Sequence, residues 1–203
     1  GLVPPLDTFS ATGTLTIPVE QPMYLYQVVK GELEAVDAVY NEEEQAMQTA
    51  AGAAERLVPE FPCGREGVLA LIPHRDPFVW VSRILDCEPG RHIVAELDVD
   101  PDLPLFKGHF PGKPVLPGVI QMEALAQAAC CCMMADPRYA GAIGLFAGID
   151  KAKFRKQVLP GDTVRLEATI TKAARLMCVA DVKASVGDDV CAQAVQKYVI
   201  DRA

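Results

Sequence analysis

The sequence predicts an α+β domain in which a curved antiparallel sheet wraps one long apolar helix. Three observations lead there. The run Val119–Met134 is apolar apart from two Gln and one Glu, so this helix should be enclosed by protein. Strand-like segments precede it, and a further run of strands separated by turn signals follows it. The 203 residues are 50% hydrophobic and 23% charged, which suits one well-packed soluble domain with an appendage.

Residues 1–27 hold four prolines and read as loop, with Leu15–Val19 and Met23–Val29 as strand candidates. Residues 32–57 are rich in Ala, Glu and Gln and favour helix, with Leu33, Val36, Val39 and Tyr40 on one docking face. Pro59 and Pro62 break that pattern, so residues 1–65 read as a partly helical N-terminal extension and 66–203 as the main domain. Gly67–Ile72 is predicted as a short helix stopped by Pro73. Val79–Leu85 and Ile93–Val99 read as strands joined at Pro89–Gly90. The Pro-rich stretch 101–118 is a loop leading into the Val119–Met134 helix. Ile143–Ile149, Thr163–Lys172, Met177–Ser185 and Val190–Ile200 complete the strands, with turns at Pro160–Gly161 and Gly187–Asp188.

Charge excludes one class of partner. Residues 1–66 carry three basic residues (Lys30, Arg56, Arg65) against eleven acidic ones, while 67–203 are balanced. No basic footprint for nucleic acid is present. The apolar helix is too short to span a bilayer, so no membrane partner is expected. No basic-then-apolar leader opens the chain, and Gly1 in place of Met points to processing or trimming. The expected compartment is the cytoplasm, or an organelle if a transit peptide has been removed. The seven cysteines include the triplet Cys130–Cys132 and no C-x-x-C, so they read as small buried hydrophobes in a reducing compartment, and no metal is expected.

The chemistry concentrates in Gly108–Val119, GHFPGKPVLPGV, which runs directly into the helix. Pro117 and Gly118 stand at the helix start, where unpaired N–H groups and the positive dipole end suit a developing oxyanion. His109 lies on the loop, and Glu123 on the first turns of the helix with Gln127 four residues on. A carboxylate on an apolar helix must be paired, neutral or functional. Two readings stay open on spacing alone: Glu123 bonds loop backbone and His109 is structural, or the two do acid–base work. A phosphate loop is excluded by spacing, and no G-x-S-x-G elbow is present.

Three blocks sharpen this. GHFPGKPVLPGVIQMEALAQ, LIPHRDPFVWVSRILD (Leu71–Asp86) and FAGIDKAKFRKQVLPGD (Phe146–Asp162) closely resemble the 3-hydroxyacyl-[acyl-carrier-protein] dehydratases of the hotdog fold, FabZ type, from about Glu66 to Ile200. The resemblance implies a hotdog domain that dehydrates carrier-bound 3-hydroxyacyl thioesters to trans-2-enoyl thioesters in fatty-acid or related acyl-chain biosynthesis. It implies no cofactor. His109 and Glu123 are then the catalytic pair, contributed by opposite subunits of a homodimer or trimer of dimers. Gly118 and Val119 would bind the thioester oxygen, with Phe110, Gln127 and Leu145 beside the acyl chain. An apolar surround favours a protonated Glu123, as an acid requires. Lys151, Lys153, Arg155 and Lys156 would dock the acidic acyl carrier protein.

Three positions depart from the family pattern. Leu145 stands where a gating Tyr is usual, Asp76 where an aromatic is frequent, and Ser82 where Asp is frequent. Two competing functions follow: a hotdog acyl thioesterase, which would release a free thiol, and a non-catalytic hotdog subunit that binds acyl chains or scaffolds a partner. Substituting His109→Ala separates an enzyme from a scaffold.

Overall fold

The computed structural model describes residues 58–201. The expected strands at Leu15–Val19 and Met23–Val29 and the helix over 32–57 lie outside the described residues. A short helix α1 (Arg65–Leu71) is followed by β1 (Arg83–Glu88) and β2 (His92–Asp98). Helix α2 (Gly118–Met134) comes next, then β3 (Ile143–Phe154), β4 (Thr163–Ala173), β5 (Met177–Val186) and β6 (Asp189–Asp201). The strands make one six-stranded sheet in the order β1-β2-β4-β5-β6-β3. Every pairing is antiparallel. This is the hotdog arrangement, with α2 as the filling.

Period-2 alternation decides which face meets the helix. Val164, Leu166 and Ala168 of β4, Cys178, Ala180, Val182 and Ala184 of β5, and Ala192, Ala194, Tyr198 and Ile200 of β6 are all buried. The many alanines let α2 sit close to the sheet, and larger side chains (Ile84, Ile93, Leu97, Leu125, Met133) fill the remainder of the core. Register shifts in β1, β3, β4 and the β5–β6 pair are bulges, which bend strands and curve the sheet. Gln196, fully buried, donates from Nε2 to the Met122 carbonyl at 2.9 Å and ties β6 to the first turns of α2.

Three differences from the expected elements have physical causes. Val79–Val81 is not ladder strand: the Trp80 N–H donates to the Gln127 side chain at 2.8 Å, so this stretch serves the helix, and bonding to β2 begins at Ser82, whose N–H donates to the Glu96 carbonyl at 2.7 Å. β3 runs on through a bulge to Phe154, because Lys153 and Phe154 still find partners in Gln193 and Ala192. A 3-10 turn (Pro104–Lys107) interrupts the long loop. Contact with the sheet extends upstream of residue 66, since Cys63 and Ile84 exchange two backbone hydrogen bonds of 2.9 Å. Among the described residues no helix is long and apolar enough to cross a membrane.

Candidate active site

The loop ahead of α2 is pinned at several points. His109 N–H donates to Leu105 O at 3.0 Å, Val115 N–H to His109 O at 3.0 Å, and Leu116 N–H to Val158 O at 2.8 Å. The half-buried His109 ring packs on Phe110, with centroids 4.0 Å apart. Its Nδ1 lies 2.8 Å from the Val115 carbonyl. A carbonyl only accepts, so Nδ1 carries the proton and Nε2 presents a lone pair. That contact leaves Nε2 of the neutral ring able to accept a proton.

Pro117 caps the start of α2 without a side-chain hydrogen bond. Ile120 and Gln121 donate to the Pro117 carbonyl. The Gly118 and Val119 N–H groups have no acceptor among the described residues, as expected of a helix N-terminus. Phe154, at the end of β3, presses on Gly118: a Cβ there would lie 2.7 Å from the Phe154 ring. Glycine is therefore what lets β3 close against the helix start.

Glu123 is one turn further on. Gln127 Nε2 donates to its Oε1 at 2.9 Å and also to Phe78 O at 2.8 Å. With Gln127 Oε1 accepting from Trp80 N–H, the buried amide has each of its polar atoms committed to protein. It holds Glu123 and offers a substrate no polar atom. His74 Nε2 lies 3.7 Å from the same carboxylate oxygen. The structure thus brings Glu123 together with Gln127 and His74; no hydrogen bond or ion pair joins it to His109 within one chain.

The remaining candidates fall along β3 and just past its end. Leu145 is half-buried and pairs with Val199. Lys151, Lys153, Arg155 and Lys156 are exposed, with Lys156 ion-paired to Asp189 and Arg155 within 3.4 Å of Gln193. Two of the unusual residues have structural explanations. Asp76 pairs with Arg65 of α1, and Ser82 Oγ accepts from Asp98 N–H at 2.9 Å. Sequence reasoning gave His74 no role. It sits in the LIPHRDPF block, and neither its spacing from Glu123 nor any helical or strand period connects the two.

A FabA-like domain model matches residues 72–195. The chain belongs to the FabA-like family. Within it, the chain is 45% identical over 132 residues to the 3-hydroxyacyl-[acyl-carrier-protein] dehydratase FabZ of Symbiobacterium thermophilum, covering 65% of this chain and 93% of that relative. It is also 45% identical over 130 residues to the protein of the same name from Desulforamulus reducens, covering 64% and 92%. Among solved structures, the dehydratase heterocomplex ApeI:P from Xenorhabdus doucetiae superposes with a TM-score of 0.59 at 15% identity, over 71% of this chain and 93% of that one. An uncharacterized protein from Pyrococcus horikoshii superposes with a TM-score of 0.51 at 15% identity, over 70% and 97%. These two likenesses concern the fold alone. The family match runs from ahead of β1 into β6, including His109, Gly118 and Glu123, and leaves residues 1–71 and 196–203 outside it.

Proposed function

We propose that this FabA-like chain is a 3-hydroxyacyl-[acyl-carrier-protein] dehydratase of fatty-acid biosynthesis, forming a trans-2-enoyl thioester and water. The observation that carries the reading is the fixed tautomer of His109. Its Nδ1–H is spent on Val115, so Nε2 is free to take the α-proton. The C–H electron pair becomes the new Cα–Cβ π bond, and the β C–O bond breaks. Glu123, in its acid form, gives its proton to the departing oxygen, which leaves as water. Transfer of a proton from the His109 imidazolium back to the Glu123 carboxylate resets the pair. The N–H groups of Gly118 and Val119 stabilise the negative thioester oxygen that develops when the α-proton is removed.

The pair is read as contributed by two copies of the chain, in a homodimer or a trimer of dimers. Two features support this. His109 and Glu123 make no bond within one chain. β3 is a twelve-residue edge strand carrying exposed Phe146, Ile149 and Phe154, the kind of edge that a second copy covers. Phe110 and Leu145 are read as acyl-chain contacts. Lys151, Lys153, Arg155 and Lys156 are read as docking the acidic carrier protein, with residues 1–65 an accessory unit and the enzyme cytoplasmic.

The test is the ultraviolet absorbance of the conjugated enoyl thioester when the protein meets a 3-hydroxyacyl-carrier substrate. Signal from the wild type and its loss in His109→Ala and Glu123→Gln are expected. No enoyl product across several chain lengths, from folded protein, rejects the reading. Release of free thiol in its place would mean hydrolysis.

A further inference from the structure

We propose that His74 is a positioning residue for Glu123, acting through a neutral Nε2–H aimed at the carboxyl group; this rests on the dehydratase reading above. His74 belongs to the segment between α1 and β1 and reaches α2 only through the fold. Its Nε2 is 3.7 Å from Glu123 Oε1, the oxygen that also accepts from Gln127. Both side chains are about four-fifths buried, at 23% and 19% exposure. An interaction there is accordingly little screened by solvent.

The ring is held in place from several sides. It stacks on Phe78, with centroids 6.3 Å apart and planes 18° from parallel. Phe78 in turn packs edge-on to Trp80 at 6.2 Å. The Phe78 carbonyl and the Trp80 N–H are both bonded to Gln127, so the group that grips Glu123 also fixes the residues that seat His74. Arg65 pins the same segment from α1 through its ion pair with Asp76, and Arg75 caps the Ile72 carbonyl at 3.0 Å.

The tautomer follows from the surroundings. His74 Nδ1 is buried and has no hydrogen-bond partner among the described residues. A proton on Nδ1 would leave a buried donor unmet and set the Nε2 lone pair against the carboxylate oxygen. A proton on Nε2 avoids both costs. At 3.7 Å the contact is longer than a hydrogen bond, as catalytic contacts are before substrate arrives. Gln127 and His74 thus approach one carboxyl oxygen from two directions. That leaves Oε2 as the oxygen directed to substrate.

The experiment compares His74→Phe with His74→Gln in the full chain. Phenylalanine keeps the ring stack on Phe78 and removes the donor; glutamine returns an N–H near the position of Nε2. The expected result is a kcat roughly 10- to 100-fold lower for His74→Phe with KM little changed, since misplacing a reacting group by about 1 Å costs that much. His74→Gln should recover most of the loss. A purely structural His74 would lower thermal stability and leave kcat per folded enzyme unchanged, and that result overturns the proposal. So does a glutamine variant as slow as the phenylalanine one. Crystal structures of wild type and His74→Phe read the same point without turnover: Glu123 should adopt a second rotamer in the variant, and an unmoved carboxylate counts against positioning. An inactive wild type would reject the dehydratase reading alone, leaving the crystal comparison to decide on His74.

Discussion

Gln127 and Glu123, one helical turn apart on α2, are joined by a 2.9 Å hydrogen bond from Nε2 to Oε1, and the same amide holds the backbone of Phe78 and Trp80. One buried side chain therefore docks the segment ahead of β1 onto the helix and holds the Glu123 carboxyl group. Structure and chemistry are coupled at this position.

Gln127→Leu tests that coupling. Leucine has similar bulk but leaves the Trp80 N–H and the Phe78 carbonyl unpartnered in the interior. Each buried orphan costs about 1–3 kcal/mol, so a loss of roughly 2–4 kcal/mol is expected in urea unfolding. Turnover should fall as well, because Glu123 loses its only hydrogen-bond donor within 3.5 Å among the described residues.

Gly118→Ala tests the close approach of β3 to the helix start. The added methyl would lie 2.7 Å from the Phe154 ring, which must swing away. The ring is half exposed and free to move, so the protein should fold with stability within about 1 kcal/mol of wild type. Catalysis should suffer more than stability, with kcat/KM down roughly tenfold. Adding Phe154→Ala should restore most of it if the clash, and not the methyl itself, is responsible.

Acid should destabilise the domain through two carboxylates. Arg83 holds Asp98 below the usual carboxylate range, with help from Thr163. Lys183 does the same for Glu167, with Arg165 assisting. A depressed folded pKa means stability that is fully present above the unfolded value, about 4, and is lost as pH falls through the folded value. Urea midpoints should hold steady from neutral pH down to about 5 and drop below about 4. Glu167→Gln should flatten that drop more than Asp98→Asn, since the Asp98 side chain is 49% exposed against 22% for Glu167.

Two thiols, Cys130 and Cys178, should be silent in the folded protein. All seven cysteines are free, and burial pushes Cys130 and Cys178 up to about 12. At pH 8 only about 1 in 10,000 of either would be thiolate. A chromogenic disulfide reagent should label neither on the native protein and all seven once guanidinium unfolds it. Rapid native labelling of Cys130, mapped by mass spectrometry, would show that α2 is more open than its packing against Gly144 implies.

Much of this site is legible in the sequence because its main parts are local. Pro117–Gly118 opening an apolar helix, Glu123 and Gln127 one turn apart, and His109 on the loop just before are consequences of neighbouring residues. The strands of β4, β5 and β6 are equally legible, since period-2 burial needs only the order of side chains. Tertiary structure decided the rest. Val79–Val81 has the composition of a strand, yet Gln127 takes its central N–H, so this stretch bonds a helix side chain and the bonds to β2 start only at Ser82. The full reach of β3 depended on partners in β6, and the fit of Asp76 on Arg65 of α1. His74 reaches Glu123 only because the sheet curls around α2 and folds the segment before β1 over it. Sequence spacing records contacts within one element; contacts between elements exist only once burial has brought them together.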